Sequence, residues 1–281
     1  MRNLLIAVSK RILTACSPTL AERYLSRSFL GHYVGMDRTL GTTETKHLPL
    51  HSVSLSGCAW MLPYHIGVCE VLKSENVVDK NTIWLGSSGG ALIAAAAALD
   101  LDLQFQLKFC ISMGTESIER HALGPIGTMT HYIVPHLLRS LPTDAHVTAT
   151  DRLFVSVTET PHRSQVYGNA LISKFKSRAH LHNVLAASTY IPIYYEKPVR
   201  PGIGKFYWDG GFSNNQPVLY AEDGQIITTT VNPNARTADI SPQTQETCNI
   251  EHLFPCDCSA AMKIYEKGRQ DAADYVKWLR S

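Results

Sequence analysis

The stretch Ile83-Trp84-Leu85-Gly86-Ser87-Ser88-Gly89-Gly90, running on through the alanine-rich segment Ala91–Leu99, decides the fold of this chain. Ile83-Trp84-Leu85 is a brief apolar run of strand type, and Ala91–Leu99 is a run of strong helix formers. Between them stands the pattern Gly86-x-Ser88-x-Gly90. A serine that attacks an electrophile must carry its hydroxyl clear of the backbone, and a tight strand-to-helix turn does this. Such a turn brings strand and helix into close approach, so glycine is needed two residues before and two after the serine. Ser88 would also stand at a helix N-terminus, whose free N–H groups favour a developing negative charge. Two other readings compete. A phosphate cradle would end in Gly-Lys-Ser/Thr, and the dinucleotide spacing is not followed either. A plain Gly/Ser turn before a packed helix stays open.

Outward from this point the chain alternates strands and helices. Val53 and Leu55 alternate with Ser52, Ser54 and Ser56, a short strand that ends at Gly57. Pro63 opens a helical stretch with Ile66, Val68, Val71 and Leu72, since proline suits a first helical turn. Leu153–Val157, Val166-Tyr167 and Ile226–Val231 are rich in β-formers, Leu181–Ala187 reads as helix, and residues 259–280 as a closing helix. In the middle, residues 101–150 hold helical pieces broken by Gly124, Pro125, Gly127, Pro135 and Pro142. Strands alternating with helices imply an α/β fold with a sheet layered between helices.

Composition narrows the class. The 281 residues, 44% hydrophobic and 18% charged, suffice for one large α/β domain and exclude wholesale disorder. Lys+Arg 26 against Asp+Glu 24 leaves +2, too balanced for a protein that coats nucleic acid, so no nucleic-acid partner is expected. Seven scattered cysteines are not a disulfide framework, and only Cys256 and Cys258 lie close together. His121, His131, His136 and His146 lack ligand spacing and no acidic cluster suggests a calcium site, so neither metal nor cofactor is expected. No glycosylation sequon occurs, which favours a reducing, intracellular setting.

No apolar run is long enough to span a bilayer. The first 21 residues carry Arg2, Lys10 and Arg11 with no acid before Glu22, and Leu4, Leu5, Val8, Ile12 and Ala15 share one helical face. That pattern fits a presequence, a helix lying on an anionic membrane surface, or an amphipathic helix packed on its own domain. Met36–Leu50 is mostly polar and reads as a linker or loop, so a boundary is expected at residues 49–50.

A serine hydroxyl needs a base. With 12 histidines a Ser-His-Asp triad stays open on counting alone, but His252, the only one after His182, has no glycine turn to present it. Phe206-Tyr207-Trp208 is an aromatic strand tail that places Asp209 at a strand end, with Gly210 and Gly211 behind it. Those glycines let the backbone turn sharply and another loop approach, so Asp209 could reach Ser88 as a direct base. The competing reading of Asp209-Gly210 is a hairpin turn.

Together these pieces resemble the patatin-like phospholipase domain family, in its adiponutrin-like, triacylglycerol-lipase-type branch. The resemblance rests on Gly86-Ser87-Ser88-Gly89-Gly90 and Asp209-Gly210-Gly211. It extends to Ser54–Trp60 with Tyr64–Val68, to Ala186-Ala187-Ser188-Thr189-Tyr190-Ile191-Pro192, and to Tyr265–Ala272. It implies a three-layer α/β/α fold with a mostly parallel sheet over residues 50–281, after an N-terminal segment and linker at 1–49. It further implies a Ser88–Asp209 dyad without histidine, an acyl-enzyme, and oxyanion donors from the backbone at Gly57, Cys58 and Ala59. The loop departs from the family pattern in having one glycine, Gly57, where several consecutive glycines and a basic residue are usual. The implied substrates are glycerolipids, met at a membrane or lipid-droplet surface by a peripheral enzyme. Tyr190, Ile191, Ile193, Tyr194 and Tyr195 could line an acyl groove or pack in the core. The basic run Lys174–His182 could meet anionic headgroups or be a solvated face. A catalytically weak lipid-binding protein of the same fold, and a Ser-His-Asp esterase, remain as alternatives.

Overall fold

The computed structural model describes residues 48–159, 168–192, 194–196, 199, 206–242 and 250–281. The expectations for residues 1–47, for strand at Val166-Tyr167 and for Ile193 lie outside the described residues. The parallel strands of the sheet are β1 (Ser52–Leu55), β2 (Ile83–Ser87), β3 (Leu153–Glu159) and β6 (Thr228–Val231). Two short strands run antiparallel to β3: β4 (Gly168–Ile172) and β5 (Tyr207–Asp209). The sheet order is β4-β3-β2-β1-β6, with β5 also on β3. This is the mixed α/β fold that the alternation of elements implied, with the mostly parallel central sheet that the family resemblance implied.

The register around β3 positions the site. Ser87, the last residue of β2, is level with Ser156. Asp209, the last residue of β5, is level with Val157 on the next rung. Because β4 occupies the other edge of β3 over Val155–Glu159, β2 and β5 must share one edge. They run toward each other along it, so their carboxyl ends meet.

All four residues of β1 are buried, serines included. The alternation seen in the sequence is therefore one of chemistry rather than exposure. Ser52 Oγ donates to Ile227 O at 2.9 Å, and Ser54 Oγ accepts from Gln216 Nε2 at 2.8 Å, so the polar face is satisfied inside the protein.

Helices α1 (Leu62–Ser74) and α2 (Gly89–Ala98) follow β1 and β2. In α2 all residues but Leu92 are buried, which explains a segment of alanines with no polar face. The unreadable middle contains α3 (Leu103–Arg120), α4 (Met129–Ser140) and the short α5 (Ala145–Ala149). Asp102 caps α3 by accepting from Phe105 N–H at 3.0 Å. Pro135, expected as a breaker, lies inside α4 instead. Met129, Ile133 and Leu137, spaced by four, bury one face of that helix, and this packing outweighs the lost backbone bond. Helix α6 (Arg178–Ser188) starts three residues earlier than the apolar pattern suggested, because Ser177 Oγ accepts from His180 N–H and fixes its first turn. The closing helix α7 (Cys258–Arg280) packs on α1, where Tyr64 Oη donates to Asp271 at 2.8 Å. No helix among the described residues is long and apolar enough to cross a membrane.

Candidate active site

Ser88 sits between β2 and α2 with φ 53° and ψ −132°, in the left-handed half of backbone space that side chains rarely adopt. Strain of this kind costs about 1–3 kcal/mol and persists only where neighbours over-determine it. Here the neighbours do. A Cβ at Gly90 would stand 2.3 Å from the carbonyl oxygens of Leu55 and Ser56, so β1 and α2 approach as closely as glycine permits. Gly86 is equally constrained, with the Ala91 backbone 2.6 Å from any added Cβ.

The Asp209 carboxylate meets this serine. Ser88 Oγ donates to Asp209 Oδ2 at 2.5 Å, although the two residues are 121 positions apart. Oδ1 of the same carboxylate accepts from Gly211 N–H at 2.7 Å. Residues Gly210–Phe212 form a 3₁₀ turn rather than the hairpin the Asp-Gly pair could have signalled. A Cβ at Gly210 would fall 2.2 Å from Ser156 O, so this loop lies directly on β3. Thr158 Oγ1 donates to Asp209 O at 2.7 Å and bonds Ser213 Oγ at 2.8 Å, and Asn169 Nδ2 donates to Ser213 Oγ at 2.9 Å. The loop is thus pinned on the side facing β4.

Ser88 is 8% exposed and Asp209 1%. Burial pushes the Asp209 carboxyl up from 3.8 to about 7, while the bonds from Ser88 and Gly211 hold it down. A carboxylate with a pKa near neutrality is a base able to take a proton and return it. Among the described residues no histidine bonds either side chain. His252 bonds Asn234 Oδ1 at 3.1 Å, and His136 stacks on Phe109 and bonds Gln106.

Of the three expected oxyanion donors, Gly57 is already engaged: its N–H donates to Asn215 O at 3.1 Å. Its lack of a side chain serves close approach, since an added Cβ would stand 2.3 Å from Asn215 Oδ1. The N–H groups of Cys58 and Ala59 have no acceptor among the described residues. Cys58–Met61 is a turn closed by Met61 N–H donating to Cys58 O at 2.9 Å, with Ala59 at φ 48°. Beyond Ser88, the first-turn amides of Gly89 and Gly90 have no partner within α2, the free N–H groups that a helix N-terminus after Ser88 implied.

Over Ser88 opens an apolar cavity of about 50 Å³. Ala59, Trp60 and Leu62 form one wall, Met113, Met129 and Ile133 another, and Ile191, Tyr194 and Tyr195 a third. Ile191, Tyr194 and Tyr195 were candidates from sequence, whereas Tyr190 packs in the core. The contributions of α3 and α4 were missed. Met113, Met129 and Ile133 are ordinary core types, and only the folding of two helices over the elbow turns them into a lining. In the basic run, Phe175 is buried and Arg178 donates to Leu141 O, so part of it is structural.

Comparison with known proteins agrees with this architecture. The family model described as patatin-like phospholipase matches residues 53–222. The chain is 27% identical over 252 residues to omega-hydroxyceramide transacylase of Mus musculus, covering 82% of this chain and 41% of that protein. It is 33% identical over 209 residues to patatin-like phospholipase domain-containing protein 2 of Rattus norvegicus, covering 72% of this chain and 41% of that protein. To patatin-like phospholipase domain-containing protein 4 of Homo sapiens it is 32% identical over 210 residues, covering 70% and 76%. The chain thus spans less than half the length of the first two. Since the family model covers more than half of the chain, from β1 past the Asp209 loop, the chain belongs to the patatin-like phospholipase family.

Proposed function

We propose that this chain is a serine lipid acyl hydrolase that cleaves fatty-acyl esters of glycerolipids with Ser88 as nucleophile and Asp209 as base. The observation that carries the reading is the 2.5 Å bond from the Oγ of Ser88, which lines an apolar cavity, to the buried Asp209 carboxylate. As Ser88 Oγ attacks the ester carbonyl, its proton passes to Asp209 Oδ2. Negative charge then develops on the former carbonyl oxygen, where the first-turn amides of α2 and the N–H groups of Cys58 and Ala59 can stabilise it. Collapse breaks the ester bond, Asp209 returns the proton to the leaving alkoxide, and the acyl group stays on Ser88. Water, deprotonated by Asp209, attacks the acyl-enzyme; collapse breaks the acyl–Ser88 bond and releases the fatty acid, and Asp209 returns the proton to Ser88 Oγ. Met113 and Met129 in the cavity wall are flexible side chains that can shift as an acyl chain enters. The substrate is met at a membrane or lipid-droplet surface by peripheral docking of a protein whose domain spans residues 50–281.

Acyl transfer to an alcohol is a second reading, supported by the similarity to omega-hydroxyceramide transacylase of Mus musculus. It shares every step up to the acyl-enzyme and differs in the acceptor. One experiment tests both. One portion of the purified chain is labelled with a fluorophosphonate probe, and a separate, unlabelled portion is incubated with a mixed lipid extract, with and without an added long-chain alcohol. Mass spectrometry reads free fatty acid against new ester. Wild type should take the label and release fatty acid, and Ser88→Ala should do neither. New ester at the expense of fatty acid would favour transfer, and an unlabelled wild type would remove both readings.

A further inference from the structure

The turn that closes α6, Ser188-Thr189-Tyr190, touches both members of the Ser88–Asp209 pair through atoms that play no part in the chemistry proposed above. Ser188 Oγ accepts from the Ser88 N–H at 2.9 Å and donates to Ser156 O at 2.7 Å. Two residues later, the Tyr190 carbonyl accepts from the Asp209 N–H at 2.9 Å. One turn therefore grips the backbone of the serine with a side chain and the backbone of the aspartate with a carbonyl.

Ser188 stands out against its neighbour. A serine or threonine at a helix end commonly turns its hydroxyl back onto the carbonyl three or four residues earlier. Thr189 does so, bonding Ala186 O at 3.0 Å. Ser188, which is fully buried, instead reaches segments 100 and 32 residues away. Its acceptor on β3, Ser156 O, belongs to the residue level with Ser87, one rung from the residue level with Asp209. The hydroxyl thus references the serine to the same point of the sheet from which the aspartate strand is measured. With the Ser88 amide bound in this way, the strained backbone of Ser88 has a fixed rotation, and its Oγ is aimed along β3 toward the carboxylate.

We propose that Ser188 is a positioning residue for the hydrolytic reaction, acting with the Tyr190 carbonyl to hold Ser88 and Asp209 in register. This rests on the Ser88–Asp209 reading given under Proposed function and extends it to a side chain that never meets substrate. A misplacement on the order of 1 Å in a reacting group can cost about 100-fold in rate.

The test compares wild type, Ser188→Ala and Ser188→Thr on a soluble short-chain p-nitrophenyl ester. Rates are referred to active sites titrated with the fluorophosphonate probe, and melting temperature is measured alongside. Positioning predicts that Ser188→Ala lowers kcat per titrated site by about 10- to 100-fold while KM stays within about twofold. It also predicts a displaced pH profile. The bond from Ser88 holds the Asp209 carboxyl down, so loosening it lets that carboxyl rise, and the acid limb of kcat/KM moves to higher pH. Ser188→Thr keeps the hydroxyl and should return the limb toward the wild-type position. Should Ser188→Ala not yield folded protein, Ser188→Cys, close to serine in volume and a weak acceptor, is read in the same way. A lower melting temperature or a smaller titrated fraction, with wild-type rate per site and an unmoved acid limb, overturns the positioning role and leaves the hydrolase reading intact. A wild type that takes no label overturns both.

Discussion

At the elbow the residue in the left-handed region is Ser88, at φ 53°; in the loop after β1 it is Ala59, at φ 48°. The two backbones are similarly strained and differently supported. Around Ser88, glycine at positions 86 and 90 lets three backbone segments close in, and the amide and hydroxyl of Ser88 are each bound. Ala59 sits at the second position of a four-residue turn, a place where glycine or asparagine is the usual occupant, and its amide has no acceptor among the described residues. Strain at Ser88 falls on the residue proposed as nucleophile. Strain at Ala59 falls on a side chain that contributes a methyl group to the cavity wall.

The largest effect expected from this contrast is at the elbow chemistry itself. Ser88→Ala and Asp209→Asn should each lower kcat by about 10⁴-fold or more, and the double variant should be little worse, since the two act as a unit. Additive losses measured with a soluble ester would break the pairing. Next comes Gly90→Ala, whose methyl would press on two backbone carbonyl oxygens at 2.3 Å. A loss of about 3 kcal/mol is expected, read as a fall in melting temperature. Stability comparable to wild type would show that the elbow is looser than its contacts imply.

The third effect is on pH. The proposed mechanism needs Asp209 as carboxylate, so kcat/KM should fall as pH drops below about 7. Stability runs the other way. The folded carboxyl titrates higher than the unfolded one at 3.8, so its contribution is fully present below about pH 4 and is lost as pH rises through about 7. Asp209→Asn should therefore melt higher than wild type above pH 7 and gain less below pH 4. An advantage that does not change with pH would contradict a buried carboxylate. The smallest effect is at Ala59. Ala59→Gly should raise stability by about 1 kcal/mol, or roughly 2–4 °C, because relief of the left-handed strain exceeds the added freedom of the unfolded chain. An unchanged or lower melting temperature would erase the distinction between the two loops.

The elements of the site differ in how plainly the chain announces them. Ile83–Leu99 could be read directly, since a short apolar run, a glycine turn and an alanine helix admit few arrangements. Asp209 was found through the two glycines behind it, and the structure brings it within a hydrogen bond of Ser88. Strand β4, Gly-Asn-Ala-Leu-Ile at 168–172, has no clean alternation and was not found, because its pairing with β3 rather than its own propensity makes it a strand. Helix α4 was misread at Pro135, where burial of an apolar face overrides a local breaker. The occupied amide of Gly57 depends on Asn215, 158 residues away, a distance that local pattern does not span.

The head-on meeting of β2 and β5 along one edge of β3 means that the spacing of the reacting atoms is metered by a single step of a hydrogen-bonded ladder. The chain between Ser88 and Asp209 can accordingly be lengthened, shortened or redecorated at its other surface turns while the two oxygens keep their separation, provided β3 and the Ser188-Thr189-Tyr190 turn, both within it, keep their places. That separates the part of the molecule that choosing a new lipid would alter from the part that breaking an ester bond requires to stay still.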